Sequence, residues 1–336
     1  MALKWRYQAF GLRRNSRNKY NVMNRRRFLR EGLFVSAALA LVRRAWARSP
    51  GALAAIYPDL STAYREVFAR IVEGIEAHSK LHVIAYPLVG NVNRQEMQQS
   101  FKRQAVKVVV ALGRQGLKAA LGLEREFGVI AGGVIAATEV EANSFPVFSM
   151  TPDPVLLFVR LKRFMPGVRR VLAVYDPKQS AWVMRLAREA ARLQSLTLHV
   201  AEAQDLSAAV RAYADIVAGM TPGKDALWLP QDAVATEESA VMPLILEETW
   251  NRGLAVFSSN LHHVRRGALF ALYADEMALG RQLALAAQRY STSEATPPGL
   301  IPLREVKVAV NARTAMHLGM QLADPQRNFD LVFPLS

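Results

Sequence analysis

The chain has 336 residues, no cysteine and a formal charge of +15, from 43 Lys+Arg against 28 Asp+Glu. Without cysteine there can be no disulfide, thiolate metal site, cysteine nucleophile or lipid-modified cysteine. The charge would suggest a nucleic-acid partner, but residues 1–47 hold twelve of the bases and one acid, a net +11, and the rest of the chain totals only +4.

Residues 24–47 read NRRRFLREGLFVSAALALVRRAWA. The apolar run from Gly32 to Val42 is eleven residues long, too short for a spanning helix, which needs about 20. A basic stretch precedes it and Ala45-Trp46-Ala47 follows it, the order of an export signal with a cleavage site. The start resembles a twin-arginine motif: Arg25 and Arg26, one free position, then Phe28, Leu29 and the basic Arg30. The competing reading is a basic amphipathic helix. Met23 stands directly ahead, so residues 1–22 are either an upstream extension or a misassigned start. The expectation is a soluble periplasmic protein of about 289 residues, beginning near Arg48.

Beyond this segment, short β-branched runs alternate with stretches of helical period. Ala52–Tyr57 reads as a strand and Ser61–His78 as a helix, with Ala63, Val67, Ile71 and Ile75 on one face. Strands follow at 81–86 and 107–112, with helices at 94–104 and about 115–127, then strands at 129–136 and 145–150. After Thr151-Pro152-Asp153-Pro154 the pattern restarts. Strands are expected at 170–175, 196–201, 225–229 and 254–258, with helices at 180–194, 206–218 and 239–251. A strand at 267–273, a helix at 275–290, a polar connector at 291–298, a strand at 305–310 and a helix at 311–320 close the series, with an edge strand at 329–333.

Strands separated by helices imply parallel sheets covered on both faces. The expected fold class is therefore α/β, with two doubly wound parallel-sheet lobes joined by a hinge. Lobe 1 would comprise 48–150 plus about 264–298, and lobe 2 would comprise 151–263 plus about 299–336.

The segments Val108–Gly113, Phe145–Pro154, Arg170–Pro177, Ala226–Asp232, Gly267–Asp275 with Leu279-Gly-Arg-Gln282, and Val310–Gly319 resemble, in order and spacing, the ABC-transporter substrate-binding proteins. Studied members of that family have the type I periplasmic binding fold and bind aromatic amino acids and related small solutes. The resemblance implies a periplasmic protein that delivers a small molecule, carboxylate-bearing or aromatic, to a membrane permease, with no cofactor. Two departures stand beside the expected cleft. Arg114 and Gln115 replace small residues, and Val155–Gly167 runs as a helix where the family has a glycine-rich stretch.

In open parallel sheets, ligands sit at the carboxyl ends of strands, where helix N-termini converge. That rule places Asp59, Arg114, Gln115, Thr151, Asp153, Tyr175, Gln231, Asp232, Asn260, Tyr273 and Asp275 at the site. A guanidinium at a helix start opposes the dipole, so Arg114 calls for a ligand anion or an interlobe bridge to an acid such as Asp153 or Asp232. Tyr175 and Tyr273 either stack on the solute or pack internally. Asp275 either accepts from the ligand or caps a helix.

No Gly-x-Ser-x-Gly, phosphate loop, His-Glu-x-x-His or dinucleotide fingerprint occurs. His262 and His263, read as extended chain, would point to opposite sides and not share a metal. No nucleophile–base pair is legible, which leaves an exported enzyme as the weakest reading. A ligand sensor presenting its closed form to a membrane receptor shares the cleft and differs only in partner.

Overall fold

The computed structural model describes residues 52–59, 62–90, 93–290 and 294–334. The expected export segment lies outside them. Among the described residues no helix is long and apolar enough to cross a membrane.

The first sheet is built from β1 (Ala52–Pro58), β2 (Val83–Leu88), β3 (Val106–Leu112), β4 (Gly128–Val134), β5 (Pro146–Pro152) and β11 (Gly299–Leu303), in the order β11-β5-β4-β3-β1-β2. All its pairings are parallel. β3 is apolar and buried apart from Lys107, as befits a central strand covered on both faces. Helices α1 (Thr62–Ser79), α2 (Arg94–Arg103), α3 (Gly113–Ala120) and α4 (Glu139–Ser144) connect these strands.

The chain then crosses to the second sheet through α5 (Pro154–Phe164), capped by the Asp153 carboxylate on the Val155 N–H at 3.0 Å. That sheet contains β6 (Arg170–Tyr175), β7 (Thr197–Glu202), β8 (Asp225–Leu229), β9 (Ala255–Ser258), β10 (Phe270–Ala274), β12 (Val306–Asn311) and β13 (Leu331–Phe333). Its order is β13-β12-β10-β9-β8-β6-β7, parallel except for the β10–β12 pair. Around it run α6 (Pro177–Leu193), α7 (Leu206–Ala218), α8 (Val241–Asn251), α9 (Leu261–Arg266), α11 (Ala312–His317) and α12 (Pro325–Asn328). Phe158 meets Trp228 edge-on at 5.6 Å and Phe257 stacks on Phe270 at 5.3 Å, an aromatic centre for this lobe.

Helix α10 (Glu276–Tyr290) returns to the first lobe and packs against α1. A Cβ on Gly280 would lie 2.2 Å from the Ile71 carbonyl oxygen, and one on Gly74 would lie 2.3 Å from that of Met277. The two glycines let the helix backbones touch.

Membership of the lobes differs from the expectation near the C-terminal end. β10 pairs in the second sheet, not the first, and β11 pairs in the first, not the second. The chain therefore changes sheets three times, after β5, after β10 and between β11 and β12. The reason is local: Gly299–Leu303 pairs in parallel with β5 beyond the polar connector, a strand that its Ile-Pro-Leu sequence conceals. These crossings are tied together. The Asp153 N–H donates to the Leu303 carbonyl at 2.8 Å, and Arg304 Nε reaches the Asp153 carboxylate at 3.1 Å. Lys307 approaches Asp275 at 3.6 Å. The helix expected to reach residue 127 ends at Ala120, where the N–H groups of Gly122 and Leu123 bond three residues back and unwind the last turn.

Candidate binding cleft

Between the two sheets lies a cleft of about 930 Å³. Its two walls differ in chemistry. The first lobe contributes Val67 and Phe68 from α1, Arg114 from α3, Gly133 and Val134 at the end of β4, the following Ile135–Thr138 and Met150 from β5. The second contributes Lys178, Gln179, Gln231, Asp232, Thr236, Glu237, Glu238, Asn260 and His263, with Ala233 the single apolar residue among those described. The first wall is mostly apolar, with Arg114 and Thr138 set in it, and the other is polar.

Arg114 lines the cleft, but its charge is spoken for. Its Nη1 bonds Glu141 Oε2 at 2.6 Å and its Nη2 bonds the Ala136 carbonyl at 2.5 Å. The partner acid is thus in the same lobe, neither Asp153 nor Asp232. Glu141 belongs to a capping box with Thr138 at the start of α4. Burial pushes its carboxyl up, but the hydrogen bonds from Arg114 and Thr138 outweigh this and hold it below the usual range. Gly113, at φ +69°, makes the turn from β3 into α3; a Cβ there would meet the Phe68 ring at 2.8 Å.

Asp232 is buried in the opposite wall. Its Oδ1 accepts from the Val234 and Ala235 N–H groups at 3.1 and 2.9 Å. Its Oδ2 accepts from the Asp176 N–H at 2.8 Å and the Ser180 hydroxyl at 2.7 Å. The carboxylate organises the loop after β8 and the start of α6, and its lone pairs are filled.

Gln231 lines the cleft, and its Oε1 lies 3.3 Å from the Thr151 hydroxyl of β5, a contact between the lobes; Thr151 itself is buried outside the lining, with its hydroxyl also 3.2 Å from the Ile135 carbonyl. Asn260 caps α9, accepting from the His262 N–H at 3.0 Å. The histidine pair thus stands on a helix, not in extended chain: His262 is exposed and His263 buried. Among the described residues no cluster of three or more His, Asp or Glu is placed to hold a metal ion.

The other expected site residues lie outside the cleft lining, each for a visible reason. Gln115 points to a separate surface depression shared with Asn93, Arg94 and Lys118. Asp59 pairs with Arg65 at 2.8 Å. Asp153 is held at the crossing by its cap and by Arg304. The Tyr175 hydroxyl donates to Glu202 at 2.8 Å from a buried ring. Tyr273 packs against the small cluster of Val264, Ala271, Ala309 and Phe333, and burial pushes its hydroxyl up to about 12. Asp275 accepts from the Ala278 N–H at 3.2 Å, the cap reading.

His263 Nδ1 lies 2.7 Å from Ser258 Oγ, a contact that superficially supplies a nucleophile and base. Ser258 is fully buried, within 3.1 Å of the Leu229 carbonyl, and accepts from the Asn260 N–H at 2.9 Å. The pair braces the loop that presents Asn260 and offers no accessible hydroxyl.

A sequence profile described as ABC transporter substrate binding protein matches residues 155–325, more than half of the chain. The chain belongs to this family. Among solved structures, the ligand-free, open form of CD0873, a substrate-binding protein with adhesive properties from Clostridium difficile, is similar at 14% identity and a TM-score of 0.58. The match covers 84% of this chain and 99% of that one. An ABC domain from Streptococcus pneumonia in complex with L-Trp matches at 13% identity and 0.53, over 84% and 100%. A conserved domain protein from Vibrio cholerae O1 biovar El Tor matches at 16% and 0.52, over 84% and 99%. These identities establish the shared type I periplasmic binding fold and nothing finer. No curated protein matches the chain.

Much of the cleft lining escaped the sequence reading, Lys178, Gln179 and Thr236 included. The apolar lip Gly133–Ala137 stands at the carboxyl end of β4, a strand whose end was not counted with the others, although the same rule covers it. Thr138-x-x-Glu141, the capping-box pattern, would have revealed α4 and the acid facing Arg114. Phe68 carried no signal beyond helical period.

His263 also makes this lobe acid-sensitive. Burial, helped by His262 and Arg266, lowers its pKa to about 4. The unfolded chain takes the proton near 6.5 and the folded one only near 4. Stability should therefore fall as pH drops from about 6.5 to about 4, by up to about 3 kcal/mol. Urea unfolding at pH 7 and pH 4.5 should show the loss, and His263→Asn should flatten it. An unchanged slope in the variant would assign the loss to other groups.

Proposed function

We propose that this protein is the solute-capturing component of an ABC-type importer. It works in the periplasm after export on the segment at 24–47, closing two lobes over a small molecule and presenting the closed form to a permease. Membership of the substrate-binding family supports this reading. The observation that carries it is the interlobe cleft, with an apolar wall on one side and hydrogen-bonding groups on the other, the combination that fixes a small ligand's position and identity.

A panel of small solutes screened by thermal shift tests it, since a ligand that binds only the folded state raises the midpoint. Ile135 is 46% exposed on the apolar wall. Ile135→Asp should leave the free protein's stability within about 0.5 kcal/mol while weakening the best ligand at least tenfold. Equal affinity in both proteins would move the site elsewhere.

A further inference from the structure

We propose that His263 is a recognition group of this cleft: its Nε2 presents a lone pair that accepts a hydrogen bond from the head of the solute, an amine in the simplest case. This rests on the reading of the cleft as the capture site.

His263 lines the cleft while only 1% exposed. Its Nδ1 is turned to Ser258 Oγ at 2.7 Å, and the ring's other nitrogen, Nε2, has no hydrogen-bond partner among the described residues. The Ser258 contacts fix where the ring's proton sits. Besides Nδ1, the Oγ meets the Leu229 carbonyl at 3.1 Å and the Asn260 N–H at 2.9 Å. A hydroxyl has one proton to donate and two lone pairs to accept with. All three contacts are hydrogen bonds in one arrangement only: the hydroxyl donates to Leu229, and both the Asn260 N–H and an Nδ1–H donate to the hydroxyl. With the Ser258 proton on the Nδ1 side instead, two oxygens would face each other at 3.1 Å with no proton between them. Burial, helped by His262 and Arg266, lowers the pKa to about 4, so the ring is neutral at pH 7 and Nε2 is bare. An enclosed acceptor without a donor is costly, and a solute that donates removes that cost.

The charge on the same wall favours a donor that is also a cation. Asp232, Glu237 and Glu238 stand there against Lys178, and accepting hydrogen bonds does not discharge them. Arg114, across the cleft, is paired with Glu141. An ammonium entering here therefore meets both a bare acceptor and a negative potential. Val67, Phe68, Ile135 and Met150 on the facing wall are left to cover an apolar body.

Nitrogen NMR of the full chain carrying isotope-labelled histidine tests both steps. The chain has six histidines, and the His263 signals are those lost in His263→Asn. In the free protein at pH 7 they should show Nδ1 protonated and Nε2 bare. Phenethylamine, isoamylamine and naphthylethylamine are the probes. At least one should move the Nε2 signal toward its hydrogen-bonded position, and 3-phenylpropionate should not. His263→Asn keeps a polar atom for Ser258 and lacks Nε2, so it should weaken the best of these amines about tenfold. His263→Gln, whose longer amide reaches the Nε2 position, should recover part of that loss. A proton on Nε2 in the free protein, no shift with any of the amines, or equal losses in the two variants would overturn the inference. Each of these results would leave the capture reading to the solute screen.

Discussion

Asp232→Ala is expected to destabilise the protein by about 4 kcal/mol or more, with the transition read by urea unfolding. The carboxylate is 3% exposed and accepts four hydrogen bonds, from the N–H groups of Asp176, Val234 and Ala235 and from the Ser180 hydroxyl. Its removal leaves those donors without their acceptor, and each buried orphan costs about 1–3 kcal/mol. Water entering from the cleft would recover part of that, which sets the figure below the simple total. Asp232→Asn keeps one oxygen for Val234 and Ala235 and turns an NH2 toward the Asp176 N–H. It should cost about half as much. The effect is large against a typical domain stability of about 5–15 kcal/mol. A loss below about 1 kcal/mol for Asp232→Ala would mean that the loop after β8 is held by something else.

Gly280→Ala should cost about 3 kcal/mol, despite the better helix propensity of alanine. In an exposed helix the exchange would gain about 1 kcal/mol. Here the new methyl would stand 2.2 Å from the Ile71 carbonyl oxygen, 2.8 Å from Gly74 Cα and 2.9 Å from the Ile75 nitrogen. All three are backbone atoms, so no rotamer change relieves the clash. α1 and α10 must part, and Ile71, Ile75, Leu279 and Leu283 beneath them lose contact. Gly219→Ala is the control: its nearest atom would be the Ile216 carbonyl oxygen at 3.7 Å, an ordinary contact. Equal, small effects at both positions would show that the helices are free to separate.

The alternation of strands and helices was legible because buried parallel strands read as β-branched runs, as in Val108-Val-Val110. Elements with weaker local signatures were not. β11 carries a proline and follows a polar connector, and α9 is six residues long with a histidine pair after Leu261, too short to show an apolar period. The site was legible in part, through the strand-end rule that brought Arg114, Gln231, Asp232 and Asn260 to the cleft. That rule gives the position of a residue and not the engagement of its side chain. Arg114 met an acid 27 positions away in its own lobe, and Tyr175 and Tyr273 turned into packing. Which donors and acceptors remain free depends on such long-range pairings, and these become visible only in the folded chain.

The chain has no cysteine, so a pair of engineered labels can report on solute capture directly. Val140 is 66% exposed on α4, beside the first lobe's lip, and Glu238 stands on the facing wall. Spin labels on Val140→Cys and Glu238→Cys would measure the distance across the cleft. Saturation with the tightest solute of the panel should shift the distribution to a single shorter distance, as expected when binding energy selects the closed lobes. A distribution that stays unchanged under a solute that raises the melting temperature would contradict capture by interlobe closure.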